Sequence, residues 1–274
     1  MDRFGPWTAR STLYESDGVR ILQTTDPDWV LKASGGISRE TEMVRKLHSY
    51  GVRRTVELPD DFWGAGWYAM RRYDGYLTCS EYCRKHWRTF ACNILEFLED
   101  LHRAGYAHMD IKKANVLIDR RTNTVVVADY EHIECPIAGL TCDSCANTAW
   151  YYMAMGAEWS EPLVGFRMDL MALAYMISDL SAPICRDNPQ GNRPFEQACY
   201  DRREGDGLSL RKIVALRDAD MAAADPAVKE FIRRVRYMHW DARDAPPRSF
   251  YTELRALFTE TEKPEGPKVD LPHD

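Results

Sequence analysis

Four polar residues between positions 110 and 129 are of the types that move a phosphoryl group: Asp110, Lys112, Asn115 and Asp129. Transfer from a metal-bound nucleotide needs one carboxylate to orient a hydroxyl and a cation near the migrating group. It also needs a second carboxylate and an amide to hold magnesium. Each residue type is commonplace alone. The spacing carries the information, because the set is closed by two apolar, strand-like runs, Val116 to Ile118 and Val125 to Ala128.

Such a set has to be positioned, and the order of elements shows how. Two alternating runs, Ser11 to Glu15 and Val19 to Gln23, flank Asp17-Gly18, a tight hairpin signal. With Trp29 to Ala33 they predict a three-stranded antiparallel meander that carries Lys32 in an apolar run. A buried lysine needs a partner. Glu40 is the natural one, on a helix that Ser38 is placed to cap and whose inner face is Glu40, Met43, Val44 and Leu47. Eight residues from Lys32 to Glu40 predict that this helix is short. A further strand, Gly66 to Met70, leads into a connector at Arg71 to Gly75.

From Thr78 to about Ala104 a long helical pattern has Ile94, Leu95, Leu98 and Leu101 as its inner stripe, and Gly105 stops it. Residues 120–123 turn the chain back into a small hairpin that presents Asp129 at its end. Tyr130 to Met155 reads as a long functional loop. Helices follow at Met168 to Leu180, nearly all apolar and therefore buried, after Asp225-Pro226, and over Tyr251 to Phe258. Strands with one helix, a connector, then mostly helices predict an α+β, two-lobed domain over residues 1–258. The division falls at about 72/73, and residues 259–274 form a charged, Pro-containing tail.

Composition narrows the class. A net charge of -6 argues against nucleic-acid binding by bulk electrostatics, and basic clusters such as Arg53-Arg54 and Arg233-Arg234 read as solvated faces. No apolar run reaches membrane length and no signal-peptide core is present, so an intracellular protein is expected, cytoplasmic, nuclear or carried in a virus particle. Eight cysteines in that setting are expected to be free thiols. His132, Cys135, Cys142 and Cys145 have spacing that could hold zinc, and free thiols in a loop are the favoured alternative.

The chain resembles the protein kinases. It has in order Lys32 on a strand, Glu40 on a helix, His108-Met109-Asp110 with Asn115 five residues on, and Asp129-Tyr130-Glu131. The helix with Asp169, Leu173 and Ala174 looks like the one whose aspartate braces the catalytic loop, and Asn147 to Tyr151 looks like the end of the activation loop. Asp110 to Leu117, the tyrosine at 130, the connector Ala69 to Tyr73 and the run from Phe166 to Leu173 are similar to the casein kinase 1 group, most of all the vaccinia-related kinases.

This resemblance implies an ATP-dependent serine/threonine kinase using magnesium or manganese, with ATP and a protein substrate as partners. Lys32 would contact the α- and β-phosphates and pair with Glu40, Asp110 would orient the acceptor hydroxyl, and Lys112 would neutralise the γ-phosphate. Asn115 and Asp129 would hold the metal, Met70 would be the gatekeeper, Arg72 would lie in the nucleotide-binding connector, and Thr148 would tie the loop to Asp110. Several features depart from the pattern. No glycine-rich loop is present, and the Asp17-Gly18 turn is its expected remnant in preference to Gly5 to Thr8. Glu131 replaces a glycine, Met109 replaces the arginine that reads a loop phosphate, and Met153 to Met155 replace the usual segment end. These departures motivate a pseudokinase serving as a scaffold as the main rival reading, with a small-molecule kinase of related fold third.

Overall fold

The computed structural model describes residues 3–16, 18–34, 37–60, 63–133, 165–181, 224–238 and 245–259, with positions 215 and 222. Its N-terminal part is a six-stranded antiparallel sheet. The strands are β1 (Arg3–Phe4), β2 (Trp7–Ser16), β3 (Val19–Thr24), β4 (Trp29–Ala33), β5 (Trp63–Gly64) and β6 (Trp67–Arg71), in the spatial order β1-β2-β3-β4-β6-β5. The expected three-stranded meander is the centre of this larger sheet. A short hairpin at Gly5 adds β1, and a chain return after α1 (Ile37–Ser49) adds β6 and β5.

The α1 helix has 13 residues and is not short. The eight-residue interval places Glu40 in its first turn and says nothing of its far end. Ser38 lies inside the helix, which begins at Ile37. The predicted inner face is real: Glu40, Val44 and Leu47 are buried and Met43 packs against the core.

Alternation divides the sheet between two cores. Val30, Tyr68 and Met70 face the main core, which runs from α1 through the helical part of the chain. Ala9, Leu22, Leu31, Ala33, Trp67 and Ala69 face the other way and are covered by Phe4 and Trp7. Both faces of β4 are therefore apolar apart from Lys32.

The helical part is built on α2 (Glu81–Arg103), which starts at Ser80, whose hydroxyl accepts from the Cys83 N-H, and stops before Gly105 at φ +83°. Against it pack the hairpin β7 (Val116–Asp119) and β8 (Thr124–Val127), then α3 (Phe166–Ser181) and α5 (Arg248–Thr259). The α4 helix (Pro226–Arg236), with Asp225 as its cap, packs on α3 and α5. Ile94, Leu95, Leu98 and Leu101 are fully buried, as their spacing predicts. Cys79, Cys83 and Cys92 are free thiols. Among the described residues no helix is long and apolar enough to cross a membrane.

Phe97 joins this core to the polar loop, since its fully buried ring meets His108 edge-on at 5.8 Å between centroids. Phe97→Ala is expected to lower unfolding stability by about 3–5 kcal/mol, read from the urea midpoint at unchanged slope.

Candidate functional site

The side chains singled out by spacing converge where the sheet meets the β7–β8 hairpin. The Lys32 ammonium lies 2.8 Å from Glu40 Oε2 and 2.8 Å from Asp129 Oδ1, although Asp129 is 97 residues away in the chain. One cation thus serves two carboxylates. Burial works against the Lys32 charge, but Glu40 and Asp129 outweigh it and hold its pKa above the ordinary lysine value. Burial likewise acts to raise Asp129, and Lys32 overrides it, leaving that carboxyl below its usual range. Glu40 is the deeper carboxylate, and burial keeps it above its ordinary value despite Lys32.

Glu40 takes further donors that compensate. Its Oε1 accepts from the Tyr68 hydroxyl at 3.0 Å and from the Tyr130 N-H at 3.3 Å. Tyr130 is itself buried, and its hydroxyl donates to the Val127 carbonyl and accepts from the Val56 N-H. A phenylalanine there could make neither bond. The tyrosine therefore stitches the Asp129 segment to residues 52–56, which return to α1 through Val52 N-H to Leu47 O and through His48 to Val56 O.

Across the site, Asp110 is 2% exposed, and its Oδ2 receives Lys112 Nζ at 2.8 Å and Asn115 Nδ2 at 2.9 Å. Asn115 Nδ2 also donates to the Asp110 carbonyl, which commits its nitrogen and leaves its oxygen for another partner. Asp110 Oδ1, Asn115 Oδ1 and Asp129 Oδ2 accept no hydrogen bond from the described residues. Asn115 sits in a short 3-10 turn, Lys113–Asn115, which orients it towards Asp110.

The loop that holds Asp110 is anchored by Asp169 of α3. Its carboxylate is 1% exposed and accepts from His108 N-H at 2.7 Å, Met109 N-H at 2.9 Å and His102 Nε2 at 2.9 Å. His102 Nδ1 meets the Tyr251 hydroxyl, so α5 is tied into the same chain of bonds. Met109 and Asp129 both have left-handed backbone, at φ +66° and +68°, which non-glycine residues seldom adopt without support. Asp169 supports the first and Lys32 the second.

His108 is fully buried. Its Nδ1 accepts from Asp110 N-H at 3.2 Å, so Nε2 carries the proton and donates to the Ala128 carbonyl. Burial lowers its pKa below 6.5 against the pull of Asp169, Asp110 and Asp129. Met109 is buried and supplies no cation. Met70 lies on the inner sheet face opposite Val30, and Arg72 is exposed on the connector with its N-H donating to Asp28 O. Glu131 is half exposed and 3.1 Å from His132 Nε2. Thr148, Cys135, Cys142 and Cys145 lie outside the described residues, as does the stretch Asn147 to Tyr151. Among the described residues no group of three or more His, Cys, Asp or Glu side chains could hold a metal.

Sequence reasoning missed Tyr68, His102 and Tyr251. Tyr251 was visible only as part of an apolar stripe, and nothing local marks the hydroxyl as a partner of a histidine 149 residues away. For Tyr130 the identity was plain but its two hydroxyl bonds were not.

Sheet, helix α1 and helical part together define a mixed α+β fold of the protein-kinase type. A solved structure of vaccinia related kinase 3 matches it with a TM-score of 0.59 over 92% of this chain and 85% of that one, at 13% identity. At that identity the likeness establishes the fold alone. No family model and no curated protein matches the sequence.

Two outcomes follow from this geometry. Lys32→Met strands Glu40 as an unpaired buried charge and is expected to cost about 3–5 kcal/mol of stability, with much of it recovered in Lys32→Met/Glu40→Gln, measured by chemical denaturation. For His108, a folded pKa below the unfolded one means a contribution present above about pH 6.5 and lost as pH falls through the folded value. Stability should therefore rise between pH 5 and 7, and His108→Asn should flatten that slope.

Proposed function

We propose that this chain is an ATP-dependent protein serine/threonine kinase of the vaccinia-related, casein kinase 1 type, with residues 1–258 as its two-lobed catalytic domain. The observation that carries the reading is the meeting of Lys32, Glu40 and Asp129 across 97 residues of chain, opposite an Asp110 held by Lys112 and Asn115. A purely structural ion pair would need Lys32 and Glu40 alone.

In this reading Lys32 binds nucleotide phosphate while keeping Asp129 in place. Asp110 has Oδ2 committed to Lys112 and Asn115, which leaves Oδ1 to accept the hydrogen of an incoming serine or threonine hydroxyl and orient its oxygen. Lys112, half exposed, sits where it can shield phosphate charge as that oxygen approaches. The hard oxygens Asn115 Oδ1 and Asp129 Oδ2 suit a magnesium ion, which when bound offsets the charge of the phosphates. Met70 and the connector with Arg72 border the nucleotide.

The rival reading, a pseudokinase scaffold, is favoured by the missing glycine run and by Glu131. The two separate on phosphate transfer from labelled ATP to casein and to the chain itself. Wild type is expected to transfer, and Asp110→Ala and Asp129→Ala to lose at least about 100-fold while remaining folded. Equal, negligible transfer by all three, with all three folded, would overturn the protein-kinase reading.

A further inference from the structure

The inner face of the sheet carries a residue that no motif marks. Strand register places Tyr14 opposite Ile21, Ile21 opposite Lys32 and Lys32 opposite Tyr68, a single row across four strands. Partners in register share a face. Tyr14 therefore lies on the side of the sheet that carries Lys32, two strands away, or about 10 Å.

That placement is made by a bulge. Thr12 pairs with Leu22 and Tyr14 with Ile21, so β2 spends one residue more than β3 and Leu13 is the extra one. Leu22 belongs to the outer core, which puts Thr12 on the outer face. Without the bulge, Leu13 would take the inner position and Tyr14 would turn outward. A second irregularity between Ala9 and Ser11 sets the preceding row in the same way, and the Ser11 hydroxyl reaches Gln23 at 3.3 Å. Bulges of this kind re-aim side chains and concentrate beside active sites.

Tyr14 is also idle where it stands. It is 57% exposed, and among the described residues it makes no hydrogen bond, ion pair or ring contact. Every other polar member of the row is engaged: Lys32 with two carboxylates, Tyr68 with Glu40. The sequence of the β2–β3 turn has a single glycine, Gly18, where a glycine run would supply several backbone N-H groups able to approach a phosphate.

We propose that Tyr14 is a nucleotide-binding residue whose hydroxyl donates to the polyphosphate, from the side of the site facing Lys32, in the role a glycine run would otherwise fill. The proposal rests on the kinase reading and deepens it. A phenol on a strand is a stiffer donor than a glycine loop, so the contact selects for the phosphate chain and adds nothing for the base.

The test is titration of the full chain with ATP and with adenosine, in magnesium, for wild type, Tyr14→Phe, Tyr14→Ala and Lys32→Met. Tyr14→Phe is expected to weaken ATP roughly tenfold, the worth of one hydrogen bond to a charged group, and to leave adenosine binding unchanged. Tyr14→Ala should do no less. A merely structural role would move neither affinity, since an exposed side chain without contacts leaves the fold untouched. If both Tyr14 variants bind ATP as wild type does, or more tightly, while Lys32→Met loses it, the tyrosine proposal is overturned and the nucleotide reading stands. A wild type that binds no ATP overturns both.

Discussion

A single buried ammonium between two carboxylates is the constraint on which the arrangement depends. Lys32 has to be charged, because removing its proton would leave Glu40 and Asp129 facing each other with no cation between them. Desolvation of three charged groups is costly, and the added donors from Tyr68 and Tyr130 on Glu40 reduce that cost. The cluster draws one residue from each of β4, α1 and the segment after β8. Sheet, helix and hairpin cannot shift relative to one another without breaking it.

The second fixed point is Asp169. A carboxylate with three donors, at 1% exposure, sets the backbone of His108 and Met109, and through them Asp110. His102 and Tyr251 extend the support to the last helix, so the far end of the domain bears on the loop by hydrogen bonds and not by packing alone. Tyr130 connects the two fixed points. It touches Glu40 through its N-H and Val56 and Val127 through its hydroxyl, and its ring stands edge-on to His108 at 6.2 Å. A tyrosine after Asp129 is thereby more than a bulky apolar residue.

Much of the fold was legible because its signals are local. The strand Trp29–Ala33, the Gly105 stop and the Asp225-Pro226 start all rest on periodicity or on one residue's backbone preference. The misjudged features were those that depend on neighbours further off. The length of α1 is set by what Val44 and Leu47 bury, not by the spacing before Glu40. The extra strands β1 and β5 are held by Trp67, against which Phe4 packs edge-on.

For the candidate site, the sequence by itself determined which chemical groups are present and their order: Lys32, Glu40, Asp110, Lys112, Asn115 and Asp129. Residue type and short spacing are read directly from the chain, and the proximity of Asp110, Lys112 and Asn115 follows from five residues of separation. Only the tertiary structure decided that Asp129 shares Lys32 with Glu40, that Tyr251 supports His102, and that a bulge at Leu13 turns Tyr14 to the inner face. Each of these depends on packing between segments distant in sequence or on a one-residue slip in register, and neither leaves a mark on local periodicity.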